Sequence, residues 1–309
     1  MNGLIQILLA TLNSSRFLKE QLDSILKQDY SCFKLLIRDA GSTDTTLQII
    51  RQYQRCFPEK IRFLGSGPAC AGENFNHLLE ASNADLIMFS DHDDVWMPDK
   101  ISRTLERYQA LAAECCKGTP ILVFTDSSVV DPHLKRIADS SLAFQHLNPF
   151  KTHLHNLILQ NVATGNTMLL NRALVDLILP IPAAAVMHDH WIMLVAAAFG
   201  RIGYLEQSTL LYRQHKNNVY GAFHYSLFSL FVKLCQGRKE ILKRFYQNTK
   251  QAAAFGQRYG RQLSPQDRKF FESLADLEHM GFLEKRLFLI QNHLWKQGFL
   301  RNLGMMLMI

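Results

Sequence analysis

Several protein classes are excluded by what this sequence lacks. Its six cysteines, Cys32, Cys56, Cys70, Cys115, Cys116 and Cys235, show neither paired metal-ligand spacing nor the density of a disulfide scaffold. That argues against structural zinc and for reduced thiols in a cytoplasmic protein. No run reaches the roughly 18 uninterrupted apolar residues that a membrane-spanning helix needs. The apolar start, Leu4-Ile5-Gln6-Ile7-Leu8-Leu9, is too short to span and lacks the basic flank of a signal peptide, so it reads as a first strand. Internal repeats and low-complexity tracts are absent. The segment after that strand, Thr11-Leu12-Asn13-Ser14-Ser15, contains no glycine, which counts against a triphosphate-gripping loop.

What is present is 309 residues with a 48% hydrophobic fraction, enough for one large α/β domain with an appendage. The net charge of +7 is unevenly placed. Residues 1–221 hold 20 Lys+Arg against 21 Asp+Glu, whereas residues 222–309 hold 14 against 6. The basic tail suits anionic lipid, nucleic acid or an acidic partner on charge alone.

Short apolar runs alternate with segments of helical spacing, the pattern of strands joined by crossover helices. Ile5–Ala10, Lys34–Arg38, Ile61–Leu64, Asp85–Phe89 and Ile121–Thr125 are the predicted strands. Leu18, Leu22, Ile25 and Leu26 share a helical face, and residues 43–55, 74–81 and 100–113 read as further helices. Trp191–Phe199 reads as a buried helix ended by Gly200. In such a sheet the polar residues that follow strands stand at its carboxyl edge, where open α/β folds bind ligands. Thr11 and Asn13 follow the first strand, Asp39 the second, and Asp91-His92-Asp93-Asp94 the fourth.

Carboxylates packed this closely repel one another unless a cation or a donor array joins them. Mg²⁺ or Mn²⁺ is bound through one or two carboxylates with diphosphate oxygens and water completing the shell. The plainer alternative is a solvated loop in which Asp94 or Asp99 caps the helix that follows. Asp39-Ala40-Gly41-Ser42-Thr43-Asp44 is a turn into a helix; Asp39 at its start can accept hydrogen bonds from a pyrimidine N–H, and Ser42 to Asp44 have the composition of a cap.

Taken in order, Ala10-Thr11-Leu12-Asn13, Arg38 to Asp44, Ser90-Asp91-His92-Asp93-Asp94-Val95-Trp96, His188-Asp189-His190-Trp191 and Tyr212-Arg213-Gln214-His215 resemble the signature of family 2 glycosyltransferases, with the look of bacterial rhamnosyltransferase-like members. The resemblance covers roughly residues 3–221. It implies an α/β GT-A fold, a mixed, mainly parallel Rossmann-like sheet flanked by helices, with a catalytic domain over 1–221 and a basic, amphipathic helical region over 222–309. It further implies that Thr11, Asn13 and Asp39 hold the nucleoside, with Asp91 at the ribose or the metal. Asp93 is the principal ligand of Mg²⁺ or Mn²⁺, Arg213 and His215 close over the diphosphate, and His215 adds a metal contact. Asp189 is the implied catalytic base, and Trp96, Gly165, Asn166, His190 and Trp191 are the implied acceptor site. The implied partners are a dTDP- or UDP-linked sugar donor and a glycan or lipid-linked acceptor, with no nucleic acid. Two positions depart from the family, which has an aromatic residue where Leu12 stands and a second Asp where Ala40 stands; Leu12 offers a base dispersion but no π-stacking.

The tail has two open readings: a helical bundle packed on the catalytic domain, or an interfacial surface that places the protein peripherally on the inner face of the cell membrane. Leu227, Leu230, Phe231 and Leu234, with Lys233, Arg238 and Lys239 close by, form one candidate face. Leu283, Leu287, Leu294, Trp295, Phe299 and Leu303, among Lys285, Arg286, Lys296 and Arg301, form others. The expected reaction is an inverting hexosyl transfer. Its rivals are a sugar-nucleotide pyrophosphorylase and an inactive binding or scaffolding protein of the same fold.

Overall fold

The computed structural model describes residues 3–216 and 238–309. Residue 221, where the composition changes, and the predicted face of Leu227, Leu230, Phe231, Lys233 and Leu234 lie outside the described residues, as does the side chain of Arg238. The chain divides into two compact units, each built from separate stretches. The first is Met1–Ser141, Ala163–Pro180 and Phe199–Ala222; the second is Leu142–Val162, Ile181–Ala198 and Phe223–Ile309. This differs from one break near residue 221, because two internal segments group with the C-terminal helices.

The first unit holds the sheet. Its strands are β1 (Ile5–Thr11), β2 (Phe33–Asp39), β3 (Ile61–Ser66), β4 (Leu86–Ser90), β5 (Val95–Trp96), β6 (Ile121–Val130), β7 (Arg136–Ala138), β8 (Met168–Asn171) and β9 (Arg201–Arg213). They run in the order β3-β2-β1-β4-β8-β6-β9-β5, with β7 on β6. The first four are parallel, β8 is antiparallel to both β4 and β6, and β9 runs parallel to β6. Helices α1 (Leu18–Leu26), α2 (Thr46–Cys56), α3 (Ala71–Glu80), α4 (Lys100–Ala113) and α7 (Arg172–Ile178) belong to this unit.

All seven residues of β1 are buried, as a strand covered on both faces requires. Ile5, Ile7 and Leu9 alternate onto one face and share a core with Leu18, Leu22 and Ile25 of α1, Ile49 and Ile50 of α2, and Ile101 and Leu105 of α4. The other face meets α3, where Phe75 packs edge-on against Phe89 of β4 at 5.6 Å. Gln6 is the polar exception inside β1. Its amide exchanges hydrogen bonds with Asn83 (2.9 and 2.7 Å) and accepts from Ala84 N–H (2.9 Å), so its burial leaves no polar atom stranded.

The second unit holds the short helices α5 (Ser141–Phe144) and α6 (Leu154–Leu157), then α8 (His188–Phe199), α9 (Arg238–Tyr259), α10 (Pro265–Ala275), α11 (Phe282–Gln291) and α12 (Phe299–Met308). Helix α8 is buried nearly all round, as a helix without a polar face must be. Its Trp191 packs against Phe255 and Tyr259 of α9 at 5.9 and 6.0 Å. An all-apolar helix needs apolar partners, and α9 supplies them, which is why residues 181–198 group with the C-terminal helices.

Candidate active site

Register puts the polar ends of β1 and β2 side by side: Thr11 pairs with Asp39 across the parallel ladder. The Thr11 hydroxyl donates to Asp39 Oδ1 at 2.9 Å. The same carboxylate accepts from the Ser42 hydroxyl (2.5 Å), the Gly41 and Ser42 backbone N–H groups (2.9 and 2.7 Å) and the Ser66 hydroxyl at the end of β3 (2.7 Å). Gly41 has φ +93°, a left-handed conformation that lets the turn fold back onto the carboxylate. Burial pushes the Asp39 pKa up, but the hydrogen bonds from Ser42, Ser66 and Thr11 outweigh it and hold the carboxyl below its ordinary value.

Asp39 is 0% exposed, and its roughly four acceptor positions already face five protein donors. The carboxylate thus builds the turn, and the pyrimidine N–H contact stands as an expectation. Thr11 is likewise buried and committed to Asp39. Asn13, at φ +47°, sits at the exposed rim, where its Oδ1 accepts from Thr43 N–H at 2.9 Å. Asp44 fixes the rim from below, accepting from the N–H groups of Ser15 (3.1 Å) and Thr46 (3.0 Å). Burial opposes its ionisation, but those bonds bring its pKa down to about 2. Leu12 projects from this rim, 47% exposed.

The acidic cluster follows β4, the neighbour of β1 on its other side. Asp91 is half-buried, and Asp93 meets His215 with Oδ2 2.8 Å from Nε2. The imidazole stacks on Phe17 at 5.0 Å. Asp94 departs from the expected solvated cap. It is fully buried, accepting from Asn166 Nδ2 (2.5 Å) and from Arg213 N–H (3.2 Å). Burial first, then repulsion from Asp93 and Asp91, push its pKa well above the ordinary carboxylate range. Asp99 does not cap α4 either; its carboxylate pairs with Arg103.

Arg213 is held inside the protein. The expected diphosphate-facing loop cation is 1% exposed, at the end of β9. Nε donates to the Asp93 carbonyl and Nη1 to the Pro132 carbonyl, each at 2.7 Å, Nη2 pairs with Glu20, and the guanidinium lies 4.4 Å over the Phe17 ring. Its charge is used to lock the acidic loop to the strand end. Sequence reasoning missed Glu20, Phe17 and Ser66 because no local pattern marks them; Glu20 and Arg213 are 193 positions apart.

The five expected acceptor residues are also placed inside the protein. Trp96 is 3% exposed, with Lys100 Nζ 4.9 Å from its ring. Gly165 and Asn166 lie in a buried 3-10 turn, Gly165–Thr167. His190 Nε2 lies 2.5 Å from the Leu157 carbonyl, and Trp191 is enclosed by aromatic rings. Burial leaves these five residues little surface open to solvent. Asp189 is different: it is half-buried, in the first turn of α8, where a helix N-terminus favours a carboxylate.

Among the described residues no three His, Cys, Asp or Glu side chains converge on one metal position. Asp93 and His215 do offer an oxygen and an imidazole nitrogen within hydrogen-bond distance, a donor pair that fits Mn²⁺ or Mg²⁺ when a diphosphate and water supply the remaining ligands.

The chain is a member of glycosyl transferase family 2, whose profile matches residues 6–177. It is 29% identical over 224 residues to the dTDP-rhamnosyl transferase RfbG of Shigella flexneri, covering 69% of this chain and 74% of that protein. It is 27% identical over 224 residues to the uncharacterized glycosyltransferase alr2836 of Nostoc sp., covering 69% of this chain and 66% of that one. Among solved structures, Staphylococcus aureus TarS 1–349 in complex with UDP-GlcNAc superposes with a TM-score of 0.52 at 18% identity, over 93% of this chain and 78% of that one. The mannosyltransferase PcManGT of Pyrobaculum calidifontis, in complex with GDP-Man and Mn²⁺, gives 0.51 at 16%, over 94% and 86%. The fold is GT-A.

Proposed function

We propose that the protein is an inverting, divalent-metal-dependent hexosyltransferase. It moves rhamnose or another hexose from a dTDP- or UDP-linked donor to a hydroxyl of a growing surface polysaccharide or lipid-linked glycan. The observation that carries this reading is the Asp93–His215 pair at the carboxyl edge of the parallel strands, beside the hydroxyl-and-carboxylate frame of Thr11 and Asp39. The relation to a dTDP-rhamnosyl transferase over 69% of the chain supports the donor class.

A Mg²⁺ or Mn²⁺ ion held by Asp93 and His215, with Asp91 beside them, would neutralise the charge that the departing diphosphate acquires. Asp189 takes the proton of the acceptor hydroxyl as that oxygen attacks the anomeric carbon from the face opposite the diphosphate. The new glycosidic C–O bond forms as the bond to the diphosphate breaks, which inverts the anomeric centre and releases a nucleoside diphosphate. The test is nucleoside diphosphate release from a panel of dTDP-, UDP- and GDP-sugars with Mn²⁺ or Mg²⁺. One base class should be turned over, and Asp93→Ala should abolish metal-dependent donor binding. Metal-dependent binding without any turnover would favour a scaffold, and no binding at all would refute the reading.

We also place the protein at the cytoplasmic face of an anionic membrane, with α11 and α12 as the contact. No helix among the described residues is long and apolar enough to cross a bilayer. Phe282, Leu283, Leu287, Ile290, Phe299, Leu303 and Leu307 are nevertheless exposed, and they are seven of the eleven large exposed apolar side chains among the described residues. Phe299, Leu303 and Leu307 form one i, i+4, i+8 row. The basic excess of residues 222–309 complements anionic headgroups. Lys285 and Arg286 are already bonded, to the Tyr246 hydroxyl and to the Phe282 and Met306 carbonyls, so apolar insertion dominates this contact.

A further inference from the structure

We propose that Asp94 is a positioning residue for the transfer reaction: its buried carboxyl group grips the Gly165–Thr167 turn and the end of β9 in the register that brings His215 to Asp93. This rests on the reading of Asp93 and His215 as the donor-side pair.

Arg213 donates to the acidic loop twice. Asp94 Oδ1 accepts the Arg213 backbone N–H at 3.2 Å, and the Asp93 carbonyl accepts the Arg213 side-chain Nε at 2.7 Å. The strand end therefore holds the loop through one backbone and one side-chain donor. Two residues beyond Arg213 stands His215, with its ring 2.8 Å from Asp93. On its other oxygen Asp94 accepts Asn166 Nδ2 at 2.5 Å, and the Asn166 Oδ1 in turn accepts the Thr164 hydroxyl at 2.7 Å. One carboxylate thus ties three segments that are remote in sequence.

Lys100 fastens the other end of the loop. It is fully buried at the start of α4, and its Nζ donates to Thr209 Oγ1 at 3.1 Å. Thr209 also lies 2.7 Å from Thr125 Oγ1, and its carbonyl accepts Met97 N–H at 2.9 Å. The loop from Asp93 to Lys100 is thereby fastened to β9 at both ends, with the short β5–β9 ladder between. A solvated cap or an apolar residue would cost less than a buried carboxyl group, so retaining Asp94 is better explained by the geometry it enforces than by stability.

The test uses a polarity swap. In Asp94→Asn one of the two contacts, to Asn166 Nδ2 or to the Arg213 N–H, must set donor against donor, and in Asn166→Asp two carboxyl groups face each other. The double variant Asp94→Asn/Asn166→Asp restores a donor and an acceptor with their direction reversed. Binding of UDP and of dTDP with Mn²⁺ is measured by calorimetry, alongside nucleoside diphosphate release and melting temperature. Each single variant should weaken Mn²⁺–nucleotide binding about tenfold, and the double variant should recover most of it. Singles that melt lower yet bind Mn²⁺–nucleotide as tightly as the wild type would overturn the proposal, as would a double variant no better than the worse single. If the singles fail to fold, Asn166→Ala removes only the donated amide and should cost several-fold in the same binding; unchanged binding there also overturns it. Failure of the donor-site reading shows instead in the wild type, which would bind neither nucleotide with Mn²⁺, and the proposal then falls with it.

Discussion

The sharpest test of the cradle at the β1–β2 edge is the replacement of Asp39. Asn has the same shape but one acceptor oxygen and an NH₂ that can only donate. Around Asp39 the Gly41 and Ser42 N–H groups on Oδ2 cannot reverse their direction, whereas the Thr11 and Ser42 hydroxyls on Oδ1 can rotate to accept. An Asn is therefore expected to place its oxygen toward the two amides and its nitrogen toward the two hydroxyls. The contacts survive and only their charge assistance is lost, at about 1 kcal/mol for each of the two amide bonds, or about 2 kcal/mol in all. Asp39→Ala has no such refuge. It leaves two half-buried N–H donors and three hydroxyls without their acceptor, for a cost of about 4 kcal/mol.

Urea unfolding at pH 7 measures both differences. Because the folded carboxyl is held below its ordinary value, its stabilisation is present above about pH 4, the unfolded carboxylate range. It is lost as pH falls through the folded pKa, so the gap between wild type and Asp39→Asn should shrink at acid pH. If both variants unfold within about 0.5 kcal/mol of the wild type yet lose binding of UDP or dTDP, the carboxylate reads the base and the account of it as a turn-builder is wrong.

Asp189→Asn should bind donor and Mn²⁺ normally and lose transfer by about 10²–10⁴-fold; full turnover would remove Asp189 as the base. Burial lowers the His190 pKa to about 4, so the unfolded chain carries an extra proton between about pH 4 and 6.5 and stability should rise with pH across that window. His190→Gln should flatten this dependence by up to about 1.4 kcal/mol per pH unit; an unchanged slope in urea titrations would show that the imidazole is not held neutral. Phe299→Ser/Leu303→Ser/Leu307→Ser should abolish sedimentation with anionic vesicles at an unchanged melting temperature, since all three side chains are exposed. Equal sedimentation of variant and wild type would refute α12 as the membrane contact.

The parallel half of the sheet was legible because a strand buried on both faces must be continuously apolar. Ile5–Ala10 and Asp85–Phe89 could be read that way, and each falls within a residue of β1 and β4. The thirteen-residue β9 escaped notice. Its apolar residues are interrupted by Glu206-Gln207-Ser208-Thr209, and its pairing with β6 shifts register between Thr125 and Asp126 and again between Asp126 and Ser128. Interruptions of that kind erase the period-2 signal on which strand reading depends. β8, with four residues, is too short to carry a period at all.

The site was legible in position but not in orientation. Strand ends locate Thr11, Asp39 and Asp93 at one edge, because sheet geometry follows from the apolar pattern. Whether a polar side chain there faces a ligand or turns inward depends on partners elsewhere in the chain: Ser66 for Asp39, Asn166 for Asp94, Glu20 for Arg213. Those partners lie 27, 72 and 193 positions away, and no local window contains them. The motif residues consequently divide in two. Asp39, Asp94, Asn166 and Arg213 spend their hydrogen bonds within the protein, whereas the Asp93 carboxylate and the His215 imidazole meet each other at the sheet edge. That division is what preorganised electrostatics requires, since a charge is useful to a developing transition state only if its own position has already been fixed by groups that do not react. A motif can thus be read as a catalytic signature while several of its members are held inside the protein, because the proposed donor-side pair is only as well placed as the buried polar frame that carries it.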